Sequence, residues 1–434
     1  MSQRQLISII DGLKVDGGRS QEVVNPYTSR AVALIQLLER LPGTSHHRHT
    51  DDNNIMLDKV LSNFAVLLEN HAQELVSLAA EETGSPIKYH QDDIRAVIEF
   101  TKGVAVYKDR MESEEYKLEA KGRILILLSA NEPLVLFVVT VLSALISGNS
   151  VFVKPSSKTP SVPHKLTELL LAAGMPASRV SIVLTSQEGT QSLLASGEFN
   201  MALSFGSSIV NEQLQKVCHS STQFIPENEG NDWAYVDELP AQEIEQLSKV
   251  LVNSFTKHNG QMCDAVRGIL VHKSIYKELV DGMKDGLQKL NIGNPMEKTS
   301  DIGSLLWSSS KGDVNQSKPI LIELKDLKSE MVSEPAFAPV CWLKSVANAD
   351  EALSLYNTYN RHGLGFSIFS HSKEAIDLLS HKINAGRINI NVNPVDINIF
   401  SPWGGIRKSG QNGPSSWIER FTNKKLINTG KYGG

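Results

Sequence analysis

The sequence is poor in cysteine: its 434 residues contain only Cys218, Cys263 and Cys341. Three cysteines that lie far apart in sequence do not make a disulfide framework, and no Cys-x-x-Cys pair suggests a structural zinc site. Sparse, unpaired cysteines are typical of a reducing compartment. We therefore expect a cytoplasmic protein.

Excess charge and long apolar runs are also missing. The formal net charge is only -5, which does not draw the chain toward nucleic acid or an anionic membrane. The most apolar stretch, Leu134–Ile146, is too short to span a bilayer and is typical of a buried helix. The first residues, MSQRQLISIIDG, lack the basic region and apolar core of a signal peptide. We expect neither a nucleic-acid nor a membrane partner.

One loop, Thr44–Asn54, is rich in histidine, aspartate and asparagine. Its His46, His47 and His49 are spaced too tightly for one tetrahedral metal site, and no cysteine supports them. We predict an exposed polar loop, and no metal site in the protein.

Two series of alternating strands and helices account for most of the chain. Short apolar runs bounded by turn residues predict buried parallel strands, and the helical segments between them predict βαβ units. The length favours two or three domains. The first series has predicted strands at Arg123–Ser129, Ser150–Pro155, Arg179–Leu184 and Phe199–Phe205 and helices at Leu134–Ser147 and Val162–Ala173. The second, from about Val236, has strands at Gly268–Val271, Ala338–Val346, Gly365–Ser370 and Arg387–Val392 and helices at Ala241–Asn259 and Ile275–Leu290 and from Asp350 and Lys373.

The motif NGQMC, Asn259 to Cys263, combines a glycine turn with a thiol. Gly260 allows a turn that a side chain would obstruct, and a thiolate is a strong nucleophile near neutral pH. A single cysteine is more often a small core residue, so the motif alone does not establish catalysis.

The motif PENEGNDWAYV, Pro226 to Val236, carries Glu227 and Glu229 at the junction between the two series. A carboxylate in a partly desolvated cleft has a raised pKa and can act as a general base toward water. The alternative is a solvated acidic turn.

Polar residues also follow three predicted strands of the first series. Lys154 and several hydroxyls end one strand, where doubly wound sheets bind nucleotides. Asn131 follows another and could donate to an oxyanion, while Gly206 and Ser207 suit a phosphate at a helix amino terminus. Each segment is also compatible with an ordinary capped turn.

In this order, the motifs resemble the aldehyde dehydrogenase superfamily along nearly the whole chain. Its segments are VVNPYT (Val23–Thr28), EETG (Glu81–Gly84), SANEPL (Ser129–Leu134), GNSVFVKPSSKTP (Gly148–Pro160), AAGMP (Ala172–Pro176), SFGSS (Ser204–Ser208), ENEGND (Glu227–Asp232), NGQMC with Arg267, GNP (Gly293–Pro295), EPAFAPV (Glu334–Val340), NRHGLGFSIFS (Asn360–Ser370), GRININ (Gly386–Asn391) and PWGGIRKSG (Pro402–Gly410).

The resemblance implies a role for each site residue. Cys263 would attack the aldehyde, Asn131 and the Cys263 N–H would hold the oxyanion, and Glu227 would activate a water that hydrolyses the thioester. Lys154 would bind the adenosine ribose of NAD or NADP, and Ser207 the pyrophosphate. The further implied residues are Ser156, Ser157, Gly206, Glu334 and Phe337 for the cofactor and Glu132, Met262 and Asp264 for the substrate.

The resemblance also implies an α/β architecture with a Rossmann-like cofactor domain, an α/β catalytic domain and a small β oligomerisation element. An extended tail strand needs a partner edge, so we expect a homodimer or homotetramer. The implied boundaries are 1–106 and 123–230 for the NAD(P)-binding domain, 231–408 for the catalytic domain, and 107–122 with 409–434 for the oligomerisation element.

Several positions depart from the family pattern. Glu229 stands where the pattern has glycine, and it would restore the usual spacing to Cys263, so either Glu227 or Glu229 could be the base; we favour Glu227. Pro335 replaces the glutamate that holds the nicotinamide ribose, with Glu334 one residue earlier. Asn211 replaces a glycine at the start of a helix.

Ser157 replaces a glutamate that would repel a 2′-phosphate, and Lys158 adds a cation, so NADP becomes plausible beside NAD. Ala130 and Glu132 flank Asn131, and Met262 and Asp264 flank Cys263. This mixed, polar surrounding predicts a small polar aldehyde.

Three functions remain open. The first is oxidation of an aldehyde to its acid. The second is a thioester-forming or acyl-reducing dehydrogenase, whose members generally lack the base glutamate. The third is a catalytically impaired relative with a binding role, which the departures at the cofactor site motivate.

Overall fold

A computed structural model describes residues 3–41, 57–109, 115–307, 318–396 and 398–429. The predicted loop Thr44–Asn54 and its three histidines lie outside these residues. The strands are β1 (Arg4–Leu6), β2 (Ser8–Ile10), β3 (Leu13–Val15), β4 (Arg19–Val24), β5 (Ala31–Leu37), β6 (Tyr116–Ala120), β7 (Arg123–Leu127), β8 (Ser150–Lys154), β9 (Val180–Ile182), β10 (Met201–Phe205), β11 (Gln223–Glu227), β12 (Asp232–Val236), β13 (Val266–His272), β14 (Ile320–Glu323), β15 (Val340–Val346), β16 (His362–Gly363), β17 (Gly365–Phe369), β18 (Arg387–Ile390), β19 (Ile406–Arg407) and β20 (Thr422–Leu426). The helices are α1 (Leu57–Asn70), α2 (Ala72–Thr83), α3 (Ile87–Asp109), α4 (Pro133–Ile146), α5 (Ser161–Ala172), α6 (Gln187–Ala195), α7 (Ser208–Val217), α8 (Ala241–Thr256), α9 (Tyr276–Gln288), α10 (Ser329–Val332), α11 (Ala349–Tyr359), α12 (Lys373–Lys382) and α13 (Trp417–Arg420).

The first large sheet has seven strands in the order β11-β10-β7-β8-β9-β2-β3. Its first five strands are parallel, and β2 and β3 add an antiparallel edge. The chain runs outward from β7 through β8 to β9 and then returns to the other side of β7 for β10. Doubly wound sheets bind ligands at such a reversal, at the carboxyl ends of the strands.

Helix α4 covers one face of this sheet and is buried along almost its entire length. Pro133 at its first turn costs no hydrogen bond, because that N–H would have no partner within the helix. A helix that is apolar on every side belongs inside a protein, so the segment Leu134–Ile146 is explained by packing against α3, α5 and the sheet.

The second large sheet has six parallel strands in the order β14-β15-β13-β12-β17-β18. The four residues between β11 and β12 lead directly from the carboxyl edge of the first sheet to the amino edge of the second. The two sheets therefore meet at this connection, which contains Glu229. The predicted α/β, Rossmann-like fold class is confirmed.

Smaller elements complete the fold. Strands β1, β5 and β4 form a three-stranded sheet, and β16 pairs with β19. Strand β6 pairs antiparallel with β20 of the tail, which is the pairing that the predicted oligomerisation element requires. The domain boundaries and the role of that element in assembly stay predictions. No helix of the described residues is long and apolar enough to cross a membrane.

The prediction of one helix over Ala241–Asn259 is wrong at its end. Helix α8 ends at Thr256, and a short 3₁₀ turn follows over Lys257–Gly260. The helix stops before Lys257, whose ψ of 137° is not helical, and His258 and Asn259 then adopt positive φ angles of 50° and 59°, which an α-helix cannot contain.

Candidate active site

A cavity of about 1200 Å³ lies where the carboxyl edge of the first sheet faces the amino edge of the second. It brings together every residue that the sequence predicts for the site. These are Asn131, Glu227 and Cys263, the cofactor candidates Lys154, Ser156, Ser157, Gly206, Ser207, Glu334 and Phe337, and the substrate candidates Glu132, Met262 and Asp264.

Strand register explains why residues so distant in sequence meet. Leu127 at the end of β7 pairs with Lys154 of β8 and with Ser204 of β10, and Phe205 pairs with Glu227 of β11. Since the carboxyl ends of parallel strands share one edge, the residues that follow them form a single rim.

The nucleophile candidate, Cys263, follows a turn in which His258, Asn259 and Gly260 all have positive φ. The buried Asn259 holds this conformation: its Nδ2 donates to the carbonyls of Gly84 and Ser304, both at 2.9 Å. Its Oδ1 accepts from the N–H of Gly303 at 2.7 Å. The amide thereby stabilises backbone that would otherwise be strained.

Two further contacts fix the backbone on which Cys263 stands. Arg267 donates to the carbonyls of Gly260 at 2.6 Å and Met262 at 3.0 Å, on either side of the turn. Gly230, in the connection between the sheets, packs so closely that a Cβ there would stand 2.2 Å from the carbonyl oxygen of Cys263. Glycine is needed at 230 because the two chain segments touch.

Burial raises the pKa of Cys263 well above its ordinary value, and the neighbouring carboxylates of Asp264 and Glu132 raise it further. The resting group is a neutral thiol. Burial also raises the pKa of Glu132 to about 7, and the charge of Asp264 adds to the effect. The cavity beside Cys263 is thus lined by carboxyl groups.

Asn131 follows β7 and faces the same cavity. The hydroxyl of Ser129 donates to its Oδ1 at 2.8 Å. This contact orients the amide so that Nδ2 remains as the donor for a ligand.

Glu227 ends β11 and forms a buried ion pair with Arg420 of α13. Burial nevertheless raises the pKa of the Glu227 carboxyl, and the charge of Arg420 only partly offsets this. The sequence reasoning missed Arg420, which lies in the predicted oligomerisation element. Its one signal was its position three residues after Trp417, which also lines the cavity.

Glu229 is placed differently. The backbone N–H and hydroxyl of Ser208, the first residue of α7, donate to its carboxylate at 2.5 and 2.8 Å. His362 lies 3.8 Å away. Burial opposes the charged form, but His362 and the hydrogen bonds from Ser208 outweigh it and lower the pKa of Glu229 to about 2.

Glu334 is exposed at the cavity rim, where both its oxygens accept from Lys408 Nζ at 2.6 Å. Pro335 and Phe337 line the cavity beside it. His362, Glu229 and Glu334 bring potential ligand atoms within 4.8 Å of one another, as do His90, Asp93 and His258. Nε2 of His362 and Nε2 of His258 lie 3.5–4.0 Å from the neighbouring carboxylates, whereas Nδ1 of His362 has no hydrogen-bond partner among the described residues, and the absence of a metal stays a prediction.

Lys154 is a half-buried cation at the end of β8. Burial lowers its pKa to about 8, and no ion pair of this residue occurs in the described part of the chain. Ser156 and Ser157 line the cavity next to it. Lys158 does not: its Nζ donates to the carbonyl of Leu306 at 3.2 Å, so its predicted contribution to NADP binding is not supported by its position.

The cavity fits a nicotinamide dinucleotide at the end that contains Lys154, but at α7 a side chain occupies the space. An unpaired, half-buried lysine with neighbouring hydroxyls fits the ribose hydroxyls of the adenosine half, and the cavity is large enough for such a ligand. At α7, however, the carboxylate of Glu229 occupies the amino terminus that would receive the pyrophosphate. The residues fit the group once this side chain moves aside.

Two facing α/β sheets with a cysteine turn and a strand-end lysine around one cavity define an enzyme with a Rossmann-like nucleotide domain. The profile described as the aldehyde dehydrogenase family matches residues 57–318 and 308–427. The chain belongs to the aldehyde dehydrogenase family, and its relatives are oxidoreductases that act on aldehydes.

Curated relatives agree with this membership. The NADP/NAD-dependent aldehyde dehydrogenase PuuC of Escherichia coli (strain K12) is 26% identical over 406 residues, covering 85% of this chain and 82% of the relative. The 3-sulfolactaldehyde dehydrogenase of Priestia aryabhattai is 24% identical and covers 96% and 97%.

Solved structures agree on the fold. A lactaldehyde dehydrogenase superposes with a TM-score of 0.88 at 20% identity, covering 98% of this chain and 99% of the other. Aldehyde dehydrogenase 21 from Physcomitrella patens, in complex with the reaction product succinate, has a TM-score of 0.87 at 20% identity and covers 98% of both chains. A 3,6-anhydro-L-galactose dehydrogenase in complex with NAP has 0.85 at 20% identity, covering 98% and 99%.

Proposed function

We propose that the protein oxidises a small polar aldehyde to its carboxylic acid, with NAD or NADP, through a covalent intermediate on Cys263. The observation that carries the proposal is the fixed turn over Asn259–Gly260, which presents the thiol to a cavity also lined by Asn131, Glu227 and Lys154.

In the first step, Sγ of Cys263 bonds to the aldehyde carbon and the carbonyl electrons move to oxygen. The thiol proton passes to a carboxylate of the cavity, because the raised pKa of Cys263 keeps it protonated at rest. Asn131 Nδ2 and the N–H of Cys263 stabilise the oxyanion of the resulting thiohemiacetal.

Lys154, Ser156 and Ser157 would hold the adenosine half of the cofactor, Gly206 and Ser207 its pyrophosphate, and Glu334 and Phe337 its nicotinamide half. The chemistry that a bound oxidised dinucleotide supplies is acceptance of the hydride from the substrate carbon, which leaves a thioester on Cys263. Ser157 permits a 2′-phosphate, so both NAD and NADP stay in the proposal.

Glu227 is the proposed base for deacylation. It accepts a proton from water as that water attacks the thioester, the S–C bond breaks, and the acid leaves while Cys263 regains a proton. Its raised pKa suits proton acceptance, whereas the carboxylate of Glu229, with a pKa of about 2, is a poor base. Glu227 must first leave Arg420.

The substrate side of the cavity favours polar aldehydes that donate hydrogen bonds or carry positive charge. Asp264 is 2% exposed, and its Oδ1 has no hydrogen-bond partner in the described residues. Glu132 and Asp93 also line this part, and Met262 supplies an apolar wall. A buried acceptor without a partner is stabilised by a ligand that donates to it.

The test is reduction of NAD and NADP with a panel of small aldehydes, comparing wild type with Cys263→Ala. We expect Cys263→Ala to abolish turnover, while Cys218→Ala, which removes a half-buried thiol outside the cavity, leaves it unchanged. If no aldehyde supports reduction of either cofactor and neither cofactor binds, the proposal is wrong.

Rapid-mixing kinetics test the base. Glu227→Gln should give a burst of reduced cofactor followed by slow turnover, because acylation proceeds and hydrolysis stalls. Undiminished steady-state turnover in Glu227→Gln contradicts the assignment. Release of a coenzyme A thioester instead of the acid would support the second candidate, an acyl-transferring dehydrogenase, which the presence of a base glutamate disfavours.

Assembly and compartment belong to the same proposal. The two-stranded ribbon of β6 and β20 exposes Tyr116 and Leu426, and an isolated pair of strands needs a partner surface. We expect a homodimer or homotetramer in the cytoplasm, where the three free cysteines stay reduced. Analytical ultracentrifugation of wild type and Leu426→Lys tests the ribbon: a variant that stays fully assembled would contradict its role.

A further inference from the structure

Glu229 turns back from the connection between the sheets onto the first turn of α7. Ser208 gives it two hydrogen bonds, one from the backbone and one from the hydroxyl. Its side chain is only 9% exposed, and His362 approaches the same carboxylate from the opposite side. The carboxylate is therefore a fixed anion at the amino terminus of a ten-residue helix.

A helix amino terminus attracts anions, because its first N–H groups lack partners within the helix and the helix dipole is positive there. In α7 the side chain of Ser207 caps the N–H of Val210, and Glu229 takes the N–H of Ser208. Gly206 and Ser207, which precede the helix, line the cavity that Glu229 also lines.

A phosphate at this terminus would meet the carboxylate directly. The two anions would compete for the same donors and repel each other inside a partly buried cavity, where screening by salt is weak. We infer that Glu229 is an internal anion that fills the pyrophosphate position, so that a dinucleotide binds only after this side chain has swung away.

Neighbouring departures from the family pattern hold the loop in this position. The side chain of Asn228 accepts from Asn211 at 2.7 Å and donates to the carbonyl of Lys408 at 2.8 Å. The hydroxyl of Ser409 donates to the carbonyl of Glu229 at 2.8 Å. Glu229, Asn228 and Asn211 thus form one connected set, and Glu229 stays ionised at every pH near neutrality.

The inference rests on the proposed use of NAD or NADP, and direct binding tests it in the full-length protein. Isothermal titration with NAD, NADP and adenosine compares wild type with Glu229→Gln and Glu229→Gly. Glu229→Gln preserves the size of the side chain, which guards against loss of fold. Glu212→Gln is the matched control, because it removes one charge from an exposed position of the same helix.

We expect dinucleotide affinity to rise at least tenfold in both Glu229 variants and to change less than twofold in Glu212→Gln. Adenosine carries no phosphate that could meet the carboxylate, so its affinity should stay within twofold in every protein. Equal, measurable dinucleotide affinity in wild type and Glu229→Gln overturns the inference and leaves the proposed function intact.

Two other outcomes would also overturn the inference. An equal gain for adenosine means that the variants loosen the whole site, which overturns the role of Glu229 as a competing anion. Absence of NAD and NADP binding in wild type and in both folded Glu229 variants overturns the inference together with the proposed cofactor.

Discussion

The nucleophile turn and the loop that carries Glu227 and Glu229 touch each other, yet they are held by different forces. The turn is fixed by neutral hydrogen bonds to backbone atoms, supplied by Asn259, and by Arg267. The loop has neutral hydrogen bonds as well, but its two carboxylates are held by charge, Glu227 by Arg420 and Glu229 by the terminus of α7. The nucleophile turn can keep its contacts throughout the proposed reaction. In the two proposals above, Glu227 must leave Arg420 before it accepts a proton, and Glu229 must leave α7 before a dinucleotide binds.

The largest expected effect tests how strongly hydrogen bonds stabilise the nucleophile turn. Asn259→Ala removes three buried hydrogen bonds and leaves an alanine at a φ of 59°, so the free energy of unfolding should fall by about 4 kcal/mol. Denaturant titration measures the loss. Asn423→Ala, on the exposed strand β20, should change stability by less than about 0.5 kcal/mol. A similar small loss in Asn259→Ala would mean that the turn needs no such support.

The second-largest expected effect tests the ion pair between Glu227 and Arg420. Arg420→Met leaves Glu227 buried without its partner and should cost about 3 kcal/mol at neutral pH. Because the folded pKa of Glu227 then rises above its wild-type folded value, the charge-dependent part of the cost should be full above the folded pKa of the variant and vanish below that of wild type, while the loss of the Arg420 hydrogen bonds to Ser415 and to the carbonyls of Trp403 and Gly413 persists at every pH. Unfolding curves across pH measure it, and adding Glu227→Gln to Arg420→Met should restore much of the loss. A pH-independent loss would show that packing, and not charge, explains Arg420.

A smaller effect on stability concerns Lys154, the proposed cofactor-binding cation at the end of β8. The pKa of Lys154 is lowered to about 8, so the charged lysine destabilises the fold below that pH. Lys154→Met should raise the free energy of unfolding by about 1–2 kcal/mol at pH 7, a figure reduced for its partial contact with solvent in the cavity. The gain should disappear between pH 8 and about 10.5, because the unfolded chain holds the proton longer. The same variant should bind dinucleotide more weakly. Constant stabilisation up to high pH would contradict the burial of a charge.

The smallest effect concerns substrate choice. Glu132→Gln should lower kcat/KM for a positively charged aldehyde relative to a neutral one of equal length by about tenfold, since one nearby charge is lost in a partly screened cavity. Asp92→Asn, at the exposed rim where Asp92 already pairs with Arg95, should change the ratio less than twofold. An unchanged ratio in Glu132→Gln would leave the acidic surroundings of Cys263 without a role in recognition.

The sequence predicts the residues at the rim of the cavity well, but it does not predict their ion pairs. Lys154, Asn131 and Ser207 are predictable because each stands at or just after the end of an apolar run whose strand character is local. Arg420 stands 193 residues from Glu227, and nothing in either segment points to the other. The pairing of Glu229 with Ser208 is similarly invisible, since it depends on a loop turning back across the sheet edge.

The short amino-terminal strands were also beyond the sequence reasoning. Strands β1 to β3 have only three residues each, too few for a period to emerge, and they exist because an established sheet offers them an edge. Helix α8 shows the reverse case: the sequence predicts a helix as far as Asn259, but the chain leaves the helical conformation at Lys257. Local pattern predicts elements, and tertiary contacts decide where they stop.

Arg420 has a practical consequence for work with this protein. One residue separates it from β20, the last described strand, which pairs with β6, so the ion pair with Glu227 links the proposed catalytic base to the carboxyl-terminal tail. We expect a purification tag or reporter fused to that tail to disturb the site. Fusions at the amino terminus, where none of the described residues before Asp92 lines the cavity, are the sounder choice for kinetic measurements.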